Sequence, residues 1–188
     1  MISGPELKGE RIELRKLTLS DASDIHRNLQ DKAIIKWTMH IPWPYKMQDA
    51  VKFIRKTHHG IRKKTNFTFG IVYKETSRVI GVIRIGDIDW KNKNAEIGYW
   101  LGKKYWGRGL ASEAVRLILK FAFEKLKLHK VYAGLFEENI ASRKVLEKCG
   151  FRLEGTIREC RFRYKKWHNE LRFGILESEY KMNTSEYE

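Results

Sequence analysis

Two glycines that bracket an arginine, Gly107-Arg108-Gly109, stand just before a run of helical periodicity. A glycine-rich turn feeding a helix start presents unpaired backbone N–H groups at the positive end of the helix dipole. Small residues there let an anion approach closely. The chemistry predicted for Trp106, Gly107, Arg108, Gly109, Leu110 and Ala111 is therefore phosphate binding. Arg108 lies inside the loop and is the charge best placed to meet a phosphate; a solvated surface charge is the alternative reading. No G-x-x-x-x-G-K-[ST] run is present, which excludes a nucleoside-triphosphate cradle of that kind. Other reactive side chains offer less. Cys149 and Cys160 lack metal-ligand spacing, and Cys149 falls at the C-terminal end of a predicted helix, where the dipole opposes a thiolate. The six histidines show no ligand spacing, and His58 and His59, being adjacent, cannot face one site from a helix.

A strand must deliver the loop and a helix must leave it. Residues 95–101 alternate Ile97, Tyr99 and Leu101, a strand signal. Residues 111–126 place Ala111, Ala114, Val115, Ile118, Leu119 and Ala122 at helical spacing. Upstream, residues 9–17 read as a half-buried strand, and Ser20 as the N-cap of a helix over 22–29. Residues 34–45 are irregular and aromatic; Trp37, Trp43 and Tyr45 either line a cleft or pack on the core. Residues 48–64 form a basic amphipathic helix, with His58 on or near its apolar side.

Strands 66–73, 79–88 and 95–101 are joined by short polar turns, which predicts an antiparallel meander. The helix after the glycine loop then crosses over, so strand 130–136 must run parallel to strand 95–101. A second helix covers 140–148, with Asn139 as a favoured N-cap and Gly150 as its C′ glycine. Strands 151–157 and 171–176 close a single domain over 1–180, and 181–188 is an acidic, frayed tail.

Composition bounds the partners. The chain has 188 residues, 42% hydrophobic, with a formal net charge of +15. That charge either steers an anionic ligand or reflects a lysine-rich solvated surface of the kind favoured in heat-adapted proteins. No helix-turn-helix, zinc-finger or RNA-recognition signature accompanies it, so specific nucleic-acid binding is not expected. The N-terminus lacks an apolar h-region and no apolar run could span a membrane. With two cysteines read as reduced thiols, a cytoplasmic location is expected.

Three segments together resemble a known family: LRKLTLSDA at 14–22, AEIGYWLGKKYWGRGLASEA at 95–114, and ENIASRKVLEKCGFRLEGTIRE at 138–159. Over nearly its whole length the chain resembles the GNAT superfamily of acetyl-CoA-dependent N-acetyltransferases, and most the RimJ/RimL type that acetylates N-terminal amines of ribosomal proteins. The resemblance implies an α+β fold with three layers. Its mixed, mostly antiparallel twisted sheet is flanked by helices, and a splayed parallel strand pair binds acetyl-CoA. The family signature Q/R-x-x-G-x-G/A maps onto Trp106–Ala111, with Trp106 in the usual Gln/Arg position. Because backbone N–H groups hold a pyrophosphate, that departure costs little.

The resemblance also implies roles. Tyr99 and Trp100 would serve core and wedge packing and Leu101 would border the cofactor, while Arg108, Arg143 and Lys144 would meet the phosphates or else be solvated surface charges. Asn139 and Ser142 match the family's N-x-x-S positions: Asn139 for the pantetheine arm or an ordered water, Ser142 for the departing thiolate. Glu96, on the strand flanking the thioester, is the first candidate for base or acceptor-binding group; an exposed glutamate paired with a lysine is the alternative. Glu154 and Glu159 are weaker candidates. Some RimL-type relatives carry glutamate where this chain has Arg161, so that assignment does not transfer. Leu146 stands where many family members place a tyrosine acid.

Direct attack by a neutral amine in a ternary complex is the expected mechanism, with no metal. An α-amine has a reference pKa of about 8 and a lysine amine one of about 10.4, so an N-terminal acceptor needs the weaker base. A protein N-terminus is the preferred acceptor, a small amine such as a polyamine or antibiotic the runner-up. The +15 charge disfavours a polycation. A homodimer is compatible with the sequence. A non-catalytic ribosome- or RNA-associated module is the rival reading.

Overall fold

The computed structural model describes residues 6–185. Its elements in chain order are β1 (Leu7–Lys8), β2 (Ile12–Lys16), α1 (Ala22–Asn28), α2 (Lys32–Ile35), α3 (Met47–Lys63), β3 (Phe67–Tyr73), β4 (Arg78–Asp89), β5 (Asn94–Leu101), α4 (Leu110–Lys120), β6 (Lys130–Phe136), α5 (Ile140–Lys148), β7 (Arg152–Arg163), β8 (Lys166–Leu176) and α6 (Glu177–Ser185). The strands form one 8-stranded sheet in the order β1-β2-β3-β4-β5-β6-β8-β7. Neighbours run antiparallel throughout, except that β5 and β6 are parallel, as the crossover through α4 requires.

Helices cover both faces of the central strands. On one face, Leu110, Ala114, Val115, Ile118 and Leu119 of α4 pack on Ile12, Leu14, Phe69, Ile71, Ile83, Ile85 and Ile97. On the other, Ile25, Ala50 and Ile54 from α1 and α3 pack on Leu17, Val72, Val79 and Val82. Covered on both sides, β3 reads as a continuous apolar run rather than an alternating one.

The feature that makes the site is a failure of pairing. Asn94 pairs with Lys130, Ala95 with Val131 and Glu96 with Tyr132, and there the parallel ladder stops. Beyond it β5 continues to Leu101 on β4, while β6 continues to Phe136 on β8. The two strands diverge around a gap whose edges carry unpaired main-chain donors and acceptors.

Several expectations change. Asp21, not Ser20, precedes α1. Its carboxylate accepts from the Thr18 N–H at 2.7 Å and from both Nη atoms of Arg15 at 2.8 Å. Burial alone would raise its pKa, but these bonds to the charged form hold it below the usual carboxylate value. The regular turns of α4 end at Lys120 and pass into a π-turn over Phe121–Lys125. Strands β7 and β8 are far longer than the sequence implies and form a hairpin turning at Tyr164 and Lys165, with φ of 51° and 58°. Two positive φ values make the primed turn that suits strand twist, here without its usual Asn-Gly. The expected acidic tail begins inside a helix, since α6 runs to Ser185; residues 186–188 lie outside the described residues.

Candidate active site

The glycine loop is strapped in place from below. Gly107 and Gly109 have φ of 72° and 74°, and Gly109 is the N-cap of α4. A Cβ at Gly107 would meet nothing within 4 Å, so the left-handed backbone selects glycine there, and the loop surface stays open. Trp106 donates its indole N–H to the Leu101 carbonyl at 2.8 Å, tying the loop to the end of β5. Arg11 donates to the Arg108 carbonyl at 2.7 Å, and Glu113 accepts from the backbone N–H groups of Arg11 and Ile12 at 2.8 and 3.2 Å. The side chains of Leu101 and Leu110 are buried in the core. Only their main chain, with that of Ala111, is left for a ligand. An anion meets open backbone N–H groups and the dipole of α4.

The second wall of the gap comes from α5. The Asn139 side chain accepts from the Ser142 N–H at 3.2 Å and is buried, so its capping role is realised. The Tyr99 hydroxyl donates to the Ser142 carbonyl at 3.4 Å, which joins the free half of β5 to the first turn of α5. Burial pushes the Tyr99 phenol far up, so it remains a neutral donor. Ser142 is thereby brought beside the gap. Arg143 and Lys144 are exposed, and Arg143 pairs along the helix with Glu147 at 2.8 Å. Trp100 packs against the cluster under α1 and α3, on the opposite face. Cys149 is inert: burial pushes its thiol up to about 11, and its S–H points to the Ser112 carbonyl at 3.5 Å.

That opposite face carries charge. Side chains alternate along a strand, so Glu96, which neighbours Ile97 of the α4-side core, projects away from α4. It is the last paired residue before the gap, opposite Tyr132 on β6 and Gly86 on β4. Burial, and next a hydrogen-bonded neighbour in Asp87, raise its carboxyl above the usual range. Asp87 sits at φ 50° and is held by Arg84 at 2.5 Å. Arg172 of β8 lies over the Tyr132 ring, 5.6 Å from its centroid. Further along, Glu170 is 4% exposed and contacts both Arg161 and Arg172. Trp37 approaches Phe136 at 6.4 Å, while Trp43 is exposed and Tyr45 is buried in the core. Glu154 pairs with Lys130 at 2.6 Å and Glu159 is exposed on a bulge of β7; neither takes part in the cluster around Glu96. Sequence reading missed Arg84, Asp87, Tyr132, Glu170 and Arg172. The one available signal is the alternation of Glu170 and Arg172, obscured because the expected strand 171–176 starts five residues after β8 does.

A phosphate loop, a strand gap and a half-buried carboxylate across it lie together at the centre of the sheet. Residues 11–152 match the acetyltransferase (GNAT) domain family. The chain belongs to the GNAT acetyltransferase family. It is 34% identical to the N-acetyltransferase p20 of Bacillus licheniformis, over 91% of this chain and 96% of that one. It is 30% identical to the ribosomal-protein-serine acetyltransferase of Escherichia coli, over 64% and 68% of the two chains. With the spermidine N(1)-acetyltransferase of Vibrio cholerae the identity is 26%, over 94% and 98%.

Among solved structures, a GNAT-family acetyltransferase from Bacillus anthracis superposes with a TM-score of 0.82 at 28% identity, over 93% of this chain and 99% of that one. The microcin C7 self-immunity acetyltransferase, solved with acetyl-CoA and AMP, gives 0.82 at 22% identity, over 89% and 93%, a likeness of fold. This GNAT chain is an acetyl-CoA-dependent N-acetyltransferase. Among the described residues no cluster of three His, Cys, Asp or Glu could hold a metal, and no helix is long and apolar enough to cross a membrane.

Proposed function

We propose that this N-acetyltransferase is of the RimJ/RimL type and acts on the N-terminal α-amine of a protein. The observation that carries the reading is the gap beginning at Glu96 and Tyr132, with the glycine loop on one face and a carboxyl of raised pKa on the other. Acetyl-CoA supplies an activated thioester. Backbone N–H groups of 106–111 hold its phosphates, and the unpaired strand edges take the amide-bearing arm much as an added strand would. Glu96 receives the acceptor amine and takes its proton, directly or through water. A raised pKa suits that task, because it moves the base toward that of an α-amine. Ser142, on the other face, lies where the thiolate departs. Both opposite-face placements suit transfer through the sheet.

The acceptor choice has support of its own. An α-amine is partly neutral at pH 7, so a modest base such as Glu96 suffices. Relatives include both a ribosomal-protein-serine and a spermidine acetyltransferase. The +15 charge favours the first, since it repels a polycation. Incubation with acetyl-CoA and peptides bearing free N-termini, the same peptides N-terminally blocked, and spermidine tests this. Transfer to free α-amines only is expected. Transfer to spermidine alone makes the protein a polyamine enzyme, and tight acetyl-CoA binding with no transfer to any amine makes it a binding module.

A further inference from the structure

One buried carboxylate anchors two arginines beside the acceptor side of the gap. Glu170 keeps 5% of its side-chain surface, Arg161 36% and Arg172 35%. Arg161 donates through Nε to Glu170 Oε2 at 2.6 Å, with Nη2 2.5 Å away. Arg172 Nε lies 2.7 Å from Oε1, out of line for a hydrogen bond, and neither atom has another partner. A guanidinium has five N–H donors. Glu170 engages one edge of Arg161 and makes only an ion-pair contact with Arg172, whose head lies over Tyr132, so both partly exposed guanidinium groups keep N–H donors to spare. Burying a lone carboxylate is costly, but two cations on one anion leave a surplus positive charge.

The cluster stands at a defined place. Glu170 leans over β6 at Gly134, where a Cβ would lie 2.9 Å from the carboxyl. Gly134 is two residues past Tyr132, the partner of Glu96, or roughly 7 Å along the strand. The surroundings add positive charge. Lys32 of α2, Lys36 just after it, and Arg158, Arg163 and Lys165 of the hairpin have no carboxylate within ion-pair distance among the described residues. Arg163 instead donates to the Ile35 carbonyl at 2.9 Å, bringing hairpin and α2 together. Most acids nearby are paired: Glu138 with His168 at 2.9 Å and Lys166 at 3.5 Å, Asp31 with Lys103 at 3.5 Å, and Asp87 with Arg84 at 2.5 Å; Glu96 feels the charge of Arg172 but forms no ion pair with it.

We propose that the acceptor is an acidic protein N-terminus, whose carboxylate, about 7 Å from the reactive amine, is read by Arg161 and Arg172 while Glu170 holds them. The inference rests on the N-terminal reading, with the amine at Glu96. A side chain at the second position of a peptide spans about that distance. Arg161 and Arg172 are then specificity residues, and Glu170 is a positioning residue acting through them.

Peptides that differ only in glutamate, alanine or lysine at the second position provide the test. Wild-type kcat/KM is expected to favour glutamate over lysine by about tenfold at low ionic strength, with the preference shrinking in salt. Arg161→Glu should abolish or invert the preference while the KM for acetyl-CoA stays put. Glu170→Gln should raise the KM for the glutamate peptide with kcat little changed, a split that a general loss of folded protein would not produce. Equal or lysine-favouring rates in the wild type overturn the proposal and leave the N-terminal reading intact. Discrimination that survives Arg161→Glu also overturns it. Transfer to spermidine and to no peptide overturns both.

Discussion

The two faces of the sheet around the gap are built from different materials. On the α4 side the polar groups are mostly main chain: the loop 106–111, the α4 start, and the Tyr99-to-Ser142 link. On the other side they are side chains: Arg84, Asp87, Glu96, Tyr132, Arg161, Glu170 and Arg172. Backbone recognition depends on chain path, so it survives substitution wherever glycine and small residues are kept. Side-chain recognition depends on residue identity. The first face is therefore suited to a ligand common to a family, the second to an acceptor particular to this protein.

Breaking that contrast should begin at Glu96. Glu96→Gln is expected to lower kcat about a hundredfold without changing the KM for acetyl-CoA. In the wild type the rate should climb with pH as the raised Glu96 carboxyl ionises, and in the variant only the limb set by the acceptor amine should remain. A variant that keeps wild-type kcat would remove Glu96 from the chemistry.

On the main-chain face, Ala111→Asp sets a carboxylate against bound phosphate at the helix start. Acetyl-CoA affinity, read by calorimetry, should fall by roughly thirtyfold, or about 2 kcal/mol. Unchanged affinity would mean that the loop is misassigned. Trp106→Phe deletes the hydrogen bond to the Leu101 carbonyl and should cost about 1 kcal/mol in the same measurement, because the loop loses a tether rather than a ligand contact.

The smallest effect is on stability, and its sign distinguishes the faces again. The folded-state pKa of Glu96 lies above its unfolded value. Below the unfolded pKa it therefore behaves as a neutral group, and relative to one it destabilises the fold as pH rises through the folded pKa. Glu96→Gln should accordingly raise Tm at neutral pH by a few degrees, with the gain vanishing in acid. A lowered Tm at neutral pH would mean the charged form is held by Arg84 and Arg172 after all.

Much of the fold was legible. The meander of β3 to β5 and the parallel return of β6 followed from short polar turns and one helical crossover. The loop was legible because Gly107 and Gly109 sit where left-handed backbone is needed. The β7–β8 hairpin was not: its strands are charged on exposed positions, and Tyr164-Lys165 carries no turn signature. Without the hairpin Glu170 stood outside any strand, and Arg172, inside the expected strand 171–176, had no visible partner. A motif names positions, while strand and helix phase decide which way each side chain points: Leu101 and Leu110 are buried, and Trp100 packs on the cluster under α1 and α3.

By itself the sequence determined the order of elements and the phosphate-binding turn, since these rest on local periodicity and backbone preference, while Glu96 became a candidate only through the family resemblance. Only the tertiary structure decided that β5 and β6 part after Glu96 and Tyr132. It alone gathered Asp87 of β4 and Glu170 and Arg172 of β8 around that point. Such clusters arise from long-range strand pairing, and pairing leaves no local mark on the chain.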